Sequence, residues 1–466
     1  MSTTDTIDKT KSNPSPLDKM KGTEYIELYD ANQNLIKNNS SELINRWRDD
    51  AFDKFKKSGF PTQKLENYKY IDFSESMALD YGLNISRIPF TINPYDIFKC
   101  DIPAIASYLY FIVNDAFYPV RNQQSKPLPE GVIIESLRTA SEKYPDIFNK
   151  YYNQSAKKKE DGWVAFNGTF VQDGFFIYVP KGIKLEKPIQ IVDILHAGGD
   201  FMANSHNLVV LEENSKCQVL VCDHTHDDVH FFANRVTEVF VGENAVYEHY
   251  KLENVNQKTT HVTNLLINQQ ASSNVLTNVI TLHNGMTRYN IEVTLDGENC
   301  ETMLCGLALG DKNQVTDNFT SIIHQKPNCH SAELFKYILD EESRGNFTGK
   351  LFVEKNAQKT NAYQTNRNIL LSSKAKVRTR PQLEIYADDV KCSHGATTGQ
   401  LDESAMFYML QRGISRKEAR LLLLYAFAAD VIDNIRIGPL KDRIKLLVEK
   451  RLRGEISQNE SCVICQ

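Results

Sequence analysis

The chain has 466 residues, a formal net charge of −5 and 41% hydrophobic residues, values typical of a soluble globular protein with two or three domains or one elongated domain. The acidic balance argues against nucleic acid as a partner, because a phosphate backbone is bound by a basic surface. The nine cysteines are an odd number scattered along the chain, which favours reduced thiols over a disulfide framework.

The N-terminal segment, residues 1–38, is expected to be a disordered tail. Its first part, "MSTTDTIDKTKSNPSPLDKMKG", mixes charged residues with Ser, Thr and Pro and has no apolar core segment. The lack of such a segment also argues against a secretory signal, and we expect a cytoplasmic protein. The most apolar run, residues 421–432, is shorter than the ~20 residues that a membrane span requires, so no membrane segment is predicted.

Residues 39–160 are predicted to form an N-terminal helical domain. Apolar residues spaced three and four apart predict an amphipathic helix over residues 40–58, and further helix is expected over residues 131–152. The charged run at residues 156–162 is interpreted either as a linker or as a solvated helix end.

Residues 161–399 are predicted to be a β-rich core, because strand-like runs follow one another between Gly, Asn and Asp. A turn, a small residue and a strand recur in six copies, which are marked by Asn214, Asn244, Ser273, Asn299, Cys329 and Asn356. The intervals of 30, 29, 26, 30 and 27 residues favour a β-solenoid whose coils contribute about two strands each. A β-sandwich or barrel is the alternative. In a solenoid, the flanking helices are expected to cap the sheet edges at the two ends.

Residues 400–456 are predicted to form a C-terminal helical domain of three helices, followed by a loose tail at residues 457–466. Asp402 and Ser415 have the spacing of helix N-caps. The middle helix is apolar around much of its circumference, so it must be buried against its own domain or against another protein. The side chains predicted to contact a partner are Leu421, Leu424, Tyr425, Phe427, Ala428 and Val431.

Cys392 and His394 are the candidate site residues. If residues 384–394 form one extended strand, both side chains lie on the same face of it. A thiolate and an imidazole can bind iron, but iron–sulfur clusters and tetrahedral metal ions take about four ligands. The pair would then be half of a site that another chain completes. The alternative is a buried Cys beside a solvated His at the end of a strand.

A second candidate cluster suits a stand-alone metal-binding protein. Cys222, His224 and His226 share one face of a predicted strand, and His230 follows shortly after. The neighbouring aspartates favour a different interpretation, a polar turn with solvated histidines.

A carbohydrate-active enzyme built on a solenoid is the third class of function. Glu384 and Asp388 share a predicted face, as the paired carboxylates of such an enzyme would. The familiar enzyme motifs are missing, and no GxxxxGK[ST] loop provides a nucleotide site. The CxxC of Cys462 and Cys465 has no second pair, so a structural zinc site is not expected there.

Four long segments carry a family resemblance. The most C-terminal is "RTRPQLEIYADDVKCSHGATTGQLDESAMFYMLQRGISRKEAR", which follows "DEESRGNFTGKLFVEKNAQKTNAYQTNRNILLS". The upstream segments are "QDGFFIYVPKGIKLEKPIQI" and "KPLPEGVIIESL". Together they resemble the SufB/SufD family of the SUF iron–sulfur cluster assembly machinery over residues 40–455. Ser393-His394-Gly395 favours the SufD branch, because SufB proteins typically carry glutamates on both sides of this histidine.

The resemblance implies a right-handed parallel β-helix between an N-terminal and a C-terminal helical domain. It implies a non-catalytic scaffold that pairs with SufB through the β-helices and binds the SufC ATPase through the C-terminal helices. A homodimer of the isolated chain stays an open alternative. The family's functional histidine falls on His394, with Cys392 as the neighbouring thiol. These residues would lie where transient iron or a nascent iron–sulfur cluster is shared with SufB.

Overall fold

Two long sheets of stacked parallel strands form the centre of the computed structural model of this chain. The structure describes residues 19–89, 93–94, 106–118 and 127–455. The last predicted segment, the tail at residues 457–466 with its two cysteines, lies outside the described residues, as do residues 1–18.

The N-terminal part of the described chain is mainly helical. Its helices are α1 (Thr23–Asn38), α2 (Glu42–Asn45), α3 (Arg48–Ser58), α4 (Ser74–Met77), α5 (Leu137–Lys143), α6 (Pro145–Tyr151) and α7 (Gly162–Phe170). Short 3₁₀ turns lie at Glu66–Tyr68 and Ala156–Lys158. The helix predicted over residues 40–58 is divided into α2 and α3, and the helical prediction for residues 131–152 missed a strand at Ile133–Ser136.

Helix α1 shows that the disordered tail was predicted too long. Tyr25, Tyr29 and Ile36 are buried on one side of this helix, at spacings of four and seven residues. Tyr25 packs edge to face against Phe166 of α7, with ring centroids 5.2 Å apart. The prediction is therefore wrong for residues 23–38, because a few aromatic side chains anchor an otherwise polar helix to the domain.

The strands are consecutive and of similar length. They are β1 (Tyr108–Val113), β2 (Ala116–Tyr118), β3 (Ile133–Ser136), β4 (Phe175–Val179), β5 (Ile189–Leu195), β6 (Phe201–Leu211), β7 (Lys216–Thr225), β8 (Phe231–Val241), β9 (Val246–Asn254), β10 (Thr259–Gln269), β11 (Asn274–His283), β12 (Met286–Leu295), β13 (Glu301–Gly310), β14 (Val315–His324), β15 (His330–Leu339), β16 (Arg344–Val353), β17 (Thr360–Leu370), β18 (Lys376–Ile385) and β19 (Val390–Gly399).

The strand order confirms the predicted solenoid and excludes the sandwich and barrel alternatives. Even-numbered strands from β4 to β18 pair in parallel in one sheet, here called sheet A, and odd-numbered strands from β5 to β19 pair in parallel in sheet B. Each coil therefore adds one strand to each sheet, over about eight turns. Apolar side chains from both sheets fill the interior.

A left-handed turn at one corner of the coil explains the sequence repeat. The residues with positive φ before β7, β9, β11, β13, β15 and β17 are Asn214, Asn244, Ser272, Asn299, Asn328 and Lys359. Their intervals are 30, 28, 27, 29 and 31 residues. The N–H of each donates to a carbonyl of the next coil over 2.6 to 3.3 Å. The last turn is thus centred on Lys359. The repeat had predicted Asn356 for this position.

The small residue that follows each turn points into the corner and is buried. These residues are Ser215, Ala245, Ser273, Cys300, Cys329 and Thr360. Only small side chains fit because successive coils stack closely at this point. The sequence repeat therefore has a physical basis at two adjacent positions. The first needs a residue that tolerates positive φ, and the second needs a small side chain that fits between the stacked coils.

Three helices follow the solenoid, and the second and third of them cover one face of sheet B. They are α8 (Glu403–Gln411), α9 (Arg416–Ile432) and α10 (Gly438–Arg453). As predicted, Asp402 caps α8 by accepting from two backbone N–H groups, and Ser415 caps α9 by accepting from the N–H of Glu418. Helices α9 and α10 share an apolar cluster with sheet B.

The two ends of the solenoid differ. At the N-terminal end, β2 and β3 pair antiparallel to the outer strands β1 and β4. At the C-terminal end, β18 and β19 each pair with one strand only, and most of β19 is exposed. The predicted cap of flanking helices is therefore wrong for this end, because α9 and α10 lie against the face of sheet B.

Candidate functional site

Cys392 and His394 lie on β19, at the open edge of sheet B. Their neighbours one coil back are Ala362 and Gln364 of β17. The two side chains share a face, as predicted, but residues 384–394 are not one strand: β18 ends at Ile385 and β19 begins at Val390. A turn between them transfers the chain from sheet A to sheet B.

The environments of the two side chains differ although both belong to the last coil. Cys392 is half-buried and packs against the edge of the interior apolar cluster. Burial raises the pKa of its thiol, and a hydrogen bond with the backbone of Ala362 offsets part of this effect. His394 is exposed, because no further coil covers it. An exposed imidazole beside a protonated thiol is open to a metal ion or to a partner chain.

A buried polar column leads from the interior to His394. Glu333, Gln364 and His394 occupy matching positions on β15, β17 and β19. The amide of Gln364 donates a hydrogen bond to the carboxyl of Glu333, and both side chains are buried. Burial raises the pKa of Glu333 to about 7. Neither Glu333 nor Gln364 was predicted. The sequence signal that could have identified them is their spacing: Gln364 lies about one coil before His394, and Glu333 about one coil before Gln364.

Cys392 and His394 do not form a group of three possible metal ligands with any other described residue. Among the described residues, two groups of His, Cys or carboxylate side chains have ligand atoms close enough to share an ion, and neither contains Cys392 or His394. That the pair is half of a shared site therefore stays a prediction. Any remaining ligands must come from outside these residues, since tetrahedral metal ions and iron–sulfur clusters take about four.

The carboxylates proposed for a carbohydrate-active enzyme are not paired. Glu384 lies on β18 and forms an ion pair with Lys350 at 2.8 Å. Asp388 lies in the turn that follows β18. The prediction that they share a strand face is wrong, because the turn begins between them.

The second candidate cluster is also divided. Cys222 and His224 are buried on β7, whereas His226 is exposed and His230 lies beyond the turn that follows. Cys222 packs in the apolar cluster between sheet B and the C-terminal helices. The four side chains therefore do not form the predicted site, although His226 belongs to another group of possible ligands that is described below.

Helix α9 is held mainly by its own chain. Leu424, Ala428 and Val431 are buried against sheet B and α10, so the intramolecular alternative holds for these three side chains. Phe427 is half-buried and makes a cation–π contact with Lys336, whose Nζ lies 4.3 Å from the centroid of the ring. The same ammonium donates to the carbonyl of Phe427 over 2.9 Å.

Leu421 and Tyr425 are half-buried on α9, and Leu421 lines a cavity of about 380 Å³ between the C-terminal helices and sheet B. The most exposed apolar side chains of this region lie elsewhere. Phe407 and Tyr408 of α8 are 63% and 60% exposed. Sequence reasoning missed them because the longer apolar run on α9 gave the stronger pattern.

Two family models match the sequence of this chain. The family model for the SUF system FeS cluster assembly SufBD core domain matches residues 194–427, and the model for the SufBD protein N-terminal region matches residues 19–191. The chain is 34% identical to the iron-sulfur cluster assembly protein SufD of Escherichia coli, over 85% of this chain and 90% of that protein. The chain belongs to the SufB/SufD family of iron–sulfur cluster assembly proteins.

Two further relatives show the spread of this family. An iron-sulfur cluster assembly SufBD family protein of Synechocystis is 29% identical over 88% of this chain and 91% of the relative. The iron-sulfur cluster assembly protein SufB of Bacillus subtilis is 25% identical over 64% of each chain. The greater identity to a SufD than to this SufB agrees with the predicted branch. Within the part of the chain that the structure describes, no helix is long and apolar enough to cross a membrane.

Proposed function

We propose that this chain is a SufD-type scaffold subunit that pairs with a SufB-type chain through the open end of its solenoid. His394, with Cys392, would contribute ligands to iron or to a nascent iron–sulfur cluster at that junction. The observation that carries the proposal is the edge strand β19, which is paired on one side only and carries both side chains. Membership of the SufB/SufD family supports it.

The edge strand supports a partner on physical grounds. A strand paired on one side only leaves a row of backbone N–H and C=O groups without strand partners, which favours pairing with another chain. In this protein β19 is ten residues long and largely exposed. A second solenoid end of similar width could continue both sheets, which would satisfy these groups and cover His394.

The chemistry of the two side chains fits a shared and temporary metal site. Imidazole and thiolate are ligands for iron, and two ligands leave the remaining positions to sulfide and to the partner. Because burial raises the pKa of the Cys392 thiol, the thiol is a weak ligand until a metal ion displaces its proton. His394 needs no such activation when its imidazole is neutral. It is therefore the principal ligand of this half-site, and Cys392 the secondary one.

The pairing is tested with a substitution that the isolated chain tolerates. A Cβ atom at Gly395 would meet no atom within 4 Å, so Gly395→Glu should leave the chain folded while placing a charge beside the partner. Gly198 is equally open but lies at the other end of the solenoid, after β5, which makes Gly198→Glu the matched control. We expect co-purification with SufB to be lost in the first variant only. Unchanged binding of Gly395→Glu would refute pairing through this edge.

The ligand role is tested by cluster assembly on the complex with SufB and the SufC ATPase. We expect His394→Ala to abolish most cluster formation, measured by visible absorption of the reconstituted complex, and Cys392→Ser to reduce it less. His330 is also an exposed histidine on a sheet B strand, so His330→Ala is the control. Normal cluster formation by His394→Ala, in a complex that still assembles, would remove the site.

The same proposal assigns docking of a SufC-type ATPase to the C-terminal helices. The exposed aromatic pair on α8, Phe407 and Tyr408, is the surface that best suits it, since large exposed aromatic side chains are common anchors of protein interfaces. Phe407 and Tyr408 therefore replace the predicted residues of α9 as the proposed contact with the ATPase. The isolated chain could instead use its open solenoid edge to form a homodimer, which sedimentation of the parent chain and of Gly395→Glu would distinguish.

A further inference from the structure

Two neighbouring turns near the N-terminal end of the solenoid bring a second set of ligand side chains together. His196 follows β5, and His226 and Asp227 follow β7 in the next coil. The N–H of His226 donates to the carbonyl of Leu195 over 2.9 Å, so the two turns are stacked by the same hydrogen bonding as the sheets. This set lies at the other end of the fold from β19.

The geometry of the three side chains is specific. Nδ1 of His196 lies 2.6 Å from Oδ2 of Asp227, and the N–H of Ala197 donates to the same oxygen over 2.9 Å. The rings of His196 and His226 have centroids 5.3 Å apart. One ligand atom of each of His196, His226 and Asp227 lies within 4.8 Å of the others. Because His226 is exposed, a small rotation of its ring can close this distance.

The hydrogen bond to Asp227 prepares His196 for coordination. When Nδ1 carries the proton and donates it to the carboxylate, Nε2 is left as an unprotonated nitrogen. A carboxylate that orients a histidine in this way is the usual companion of a metal-bound imidazole, and it raises the basicity of the ligand. Asp227 therefore orients His196 and does not bind the same ion, because Nδ1 and Nε2 lie on opposite sides of the imidazole ring.

We propose that His196, His226 and Asp227 form a binding site for a divalent first-row transition metal ion. Two imidazoles, one of them oriented by a carboxylate, suit Zn²⁺ or Fe²⁺ better than Ca²⁺ or Mg²⁺, which prefer oxygen ligands alone. The partial exposure of the three side chains leaves room for water in the remaining positions. The bound ion is therefore exchangeable and not structural.

Comparison with the other group of close ligands strengthens this assignment. Asp223, Glu253 and His261 are also within reach of one another, but all three are buried. Asp223 forms ion pairs there with Arg235 at 2.6 Å and with Lys251 at 2.5 Å. Two basic side chains already neutralise that group, which disfavours a further cation. At the partly exposed group, Lys258 pairs with Asp228, and the Asp227 carboxylate pairs with His196.

The test is calorimetric titration of the metal-free full-length chain with Zn²⁺ alone. Three substitutions, Cys392→Ser, Cys462→Ser and Cys465→Ser, are made in the background so that the open edge and the C-terminal tail do not contribute thiol ligands. We expect one Zn²⁺ per chain, with affinity reduced at least tenfold by His196→Ala and by His226→Ala. Asp227→Asn should have a smaller effect, because the amide oxygen can still accept from His196.

His230→Ala is the matched control. His230 lies in the same turn and also pairs with a carboxylate, since its Nδ1 is 3.2 Å from Oδ1 of Asp200, but it does not belong to the close group. This variant should bind Zn²⁺ like the background chain. The proposal is overturned if the background chain binds no Zn²⁺ or if neither histidine variant weakens binding. Because His394→Ala should leave this titration unchanged, failure here is separate from failure of the cluster-assembly proposal.

Discussion

Gln364 donates a side-chain hydrogen bond to the buried carboxyl of Glu333, one coil further from the open end of the solenoid. The next position in this column is His394, which is exposed. The interior of the protein is therefore not purely apolar where it meets the proposed partner. The titratable carboxyl of Glu333 lies two coils before His394 along the solenoid. Its protonation state affects the free energy of unfolding, which can be measured as a function of pH.

The first prediction concerns Glu333 and pH. Burial raises its pKa from the ordinary 4.5 to about 7 in the folded chain, so the folded state holds a proton that the unfolded state loses between these values. The free energy of unfolding therefore falls as the pH rises from about 4.5 to about 7 and above, by up to roughly 3 kcal/mol. Glu333→Gln stays neutral and should remove this loss.

The measurement is urea unfolding of both proteins at pH 5 and pH 8. The variant should gain stability over the parent mainly at pH 8, where the parent carries a buried charge. An equal difference between the two proteins at both pH values would mean that Glu333 does not titrate in this range.

The second prediction concerns the space that Gln364 occupies. A Cβ atom at Gly349 of β16 would lie 2.0 Å from Nε2 of Gln364, so Gly349→Ala must displace this amide from Glu333. We expect a loss of roughly 1–3 kcal/mol in the free energy of unfolding, because a buried polar group loses its partner. Gly395→Ala, which meets no atom within 4 Å, should change it by less than about 0.5 kcal/mol. Equal stability of the two variants would contradict this account of the column.

The third prediction concerns the sixth left-handed turn. Lys359 has φ 59°, a conformation that costs an ordinary side chain roughly 1 kcal/mol and that Asn tolerates better. Lys359→Asn should therefore stabilise the chain by about 0.5–1 kcal/mol in chemical denaturation. Lys355 lies in the same turn without positive φ, so Lys355→Asn should have no such effect. A stabilisation shared by both variants would indicate a charge effect instead of a backbone effect.

The same turn shows how far the fold could be predicted from the sequence. Asn214, Asn244 and Asn299 are visible markers because the left-handed position favours Asn. Lys359 carries no such mark, so the sixth copy was placed three residues early at Asn356. The repeat was strong enough to predict a solenoid because its corner has both a backbone and a packing requirement.

The candidate site was predictable only in part. That Cys392 and His394 lie on the same face of a strand can be predicted from their spacing of two residues alone. The column through Glu333 and Gln364 does, because it depends on the register of three strands, and a slip of one residue would turn each side chain to the other face. The ligands His196 and His226 were separated in the sequence by a whole coil. Only the stacking of their turns brings them together.

The fourth prediction distinguishes packing from docking on the C-terminal helices. An apolar helix must be covered, but its sequence does not say by what. The structure covers Leu424 with sheet B and α10, so Leu424→Asp should lower the free energy of unfolding by roughly 3 kcal/mol or more. Any loss of binding to SufC in that variant would then follow from damage to the helical domain.

Phe407→Ser tests the docking surface itself. Because Phe407 is 63% exposed, this variant should keep its stability within about 0.5 kcal/mol, while its affinity for a SufC-type ATPase falls at least tenfold. Leu446 of α10 is also apolar and exposed, and Leu446→Ser is the control for a general loss of surface hydrophobicity. Titration calorimetry with the ATPase separates the cases. If Phe407→Ser and Leu446→Ser both bind like the parent, the contact lies elsewhere on the C-terminal helices, and the cavity lined by Leu421 becomes the next surface to test.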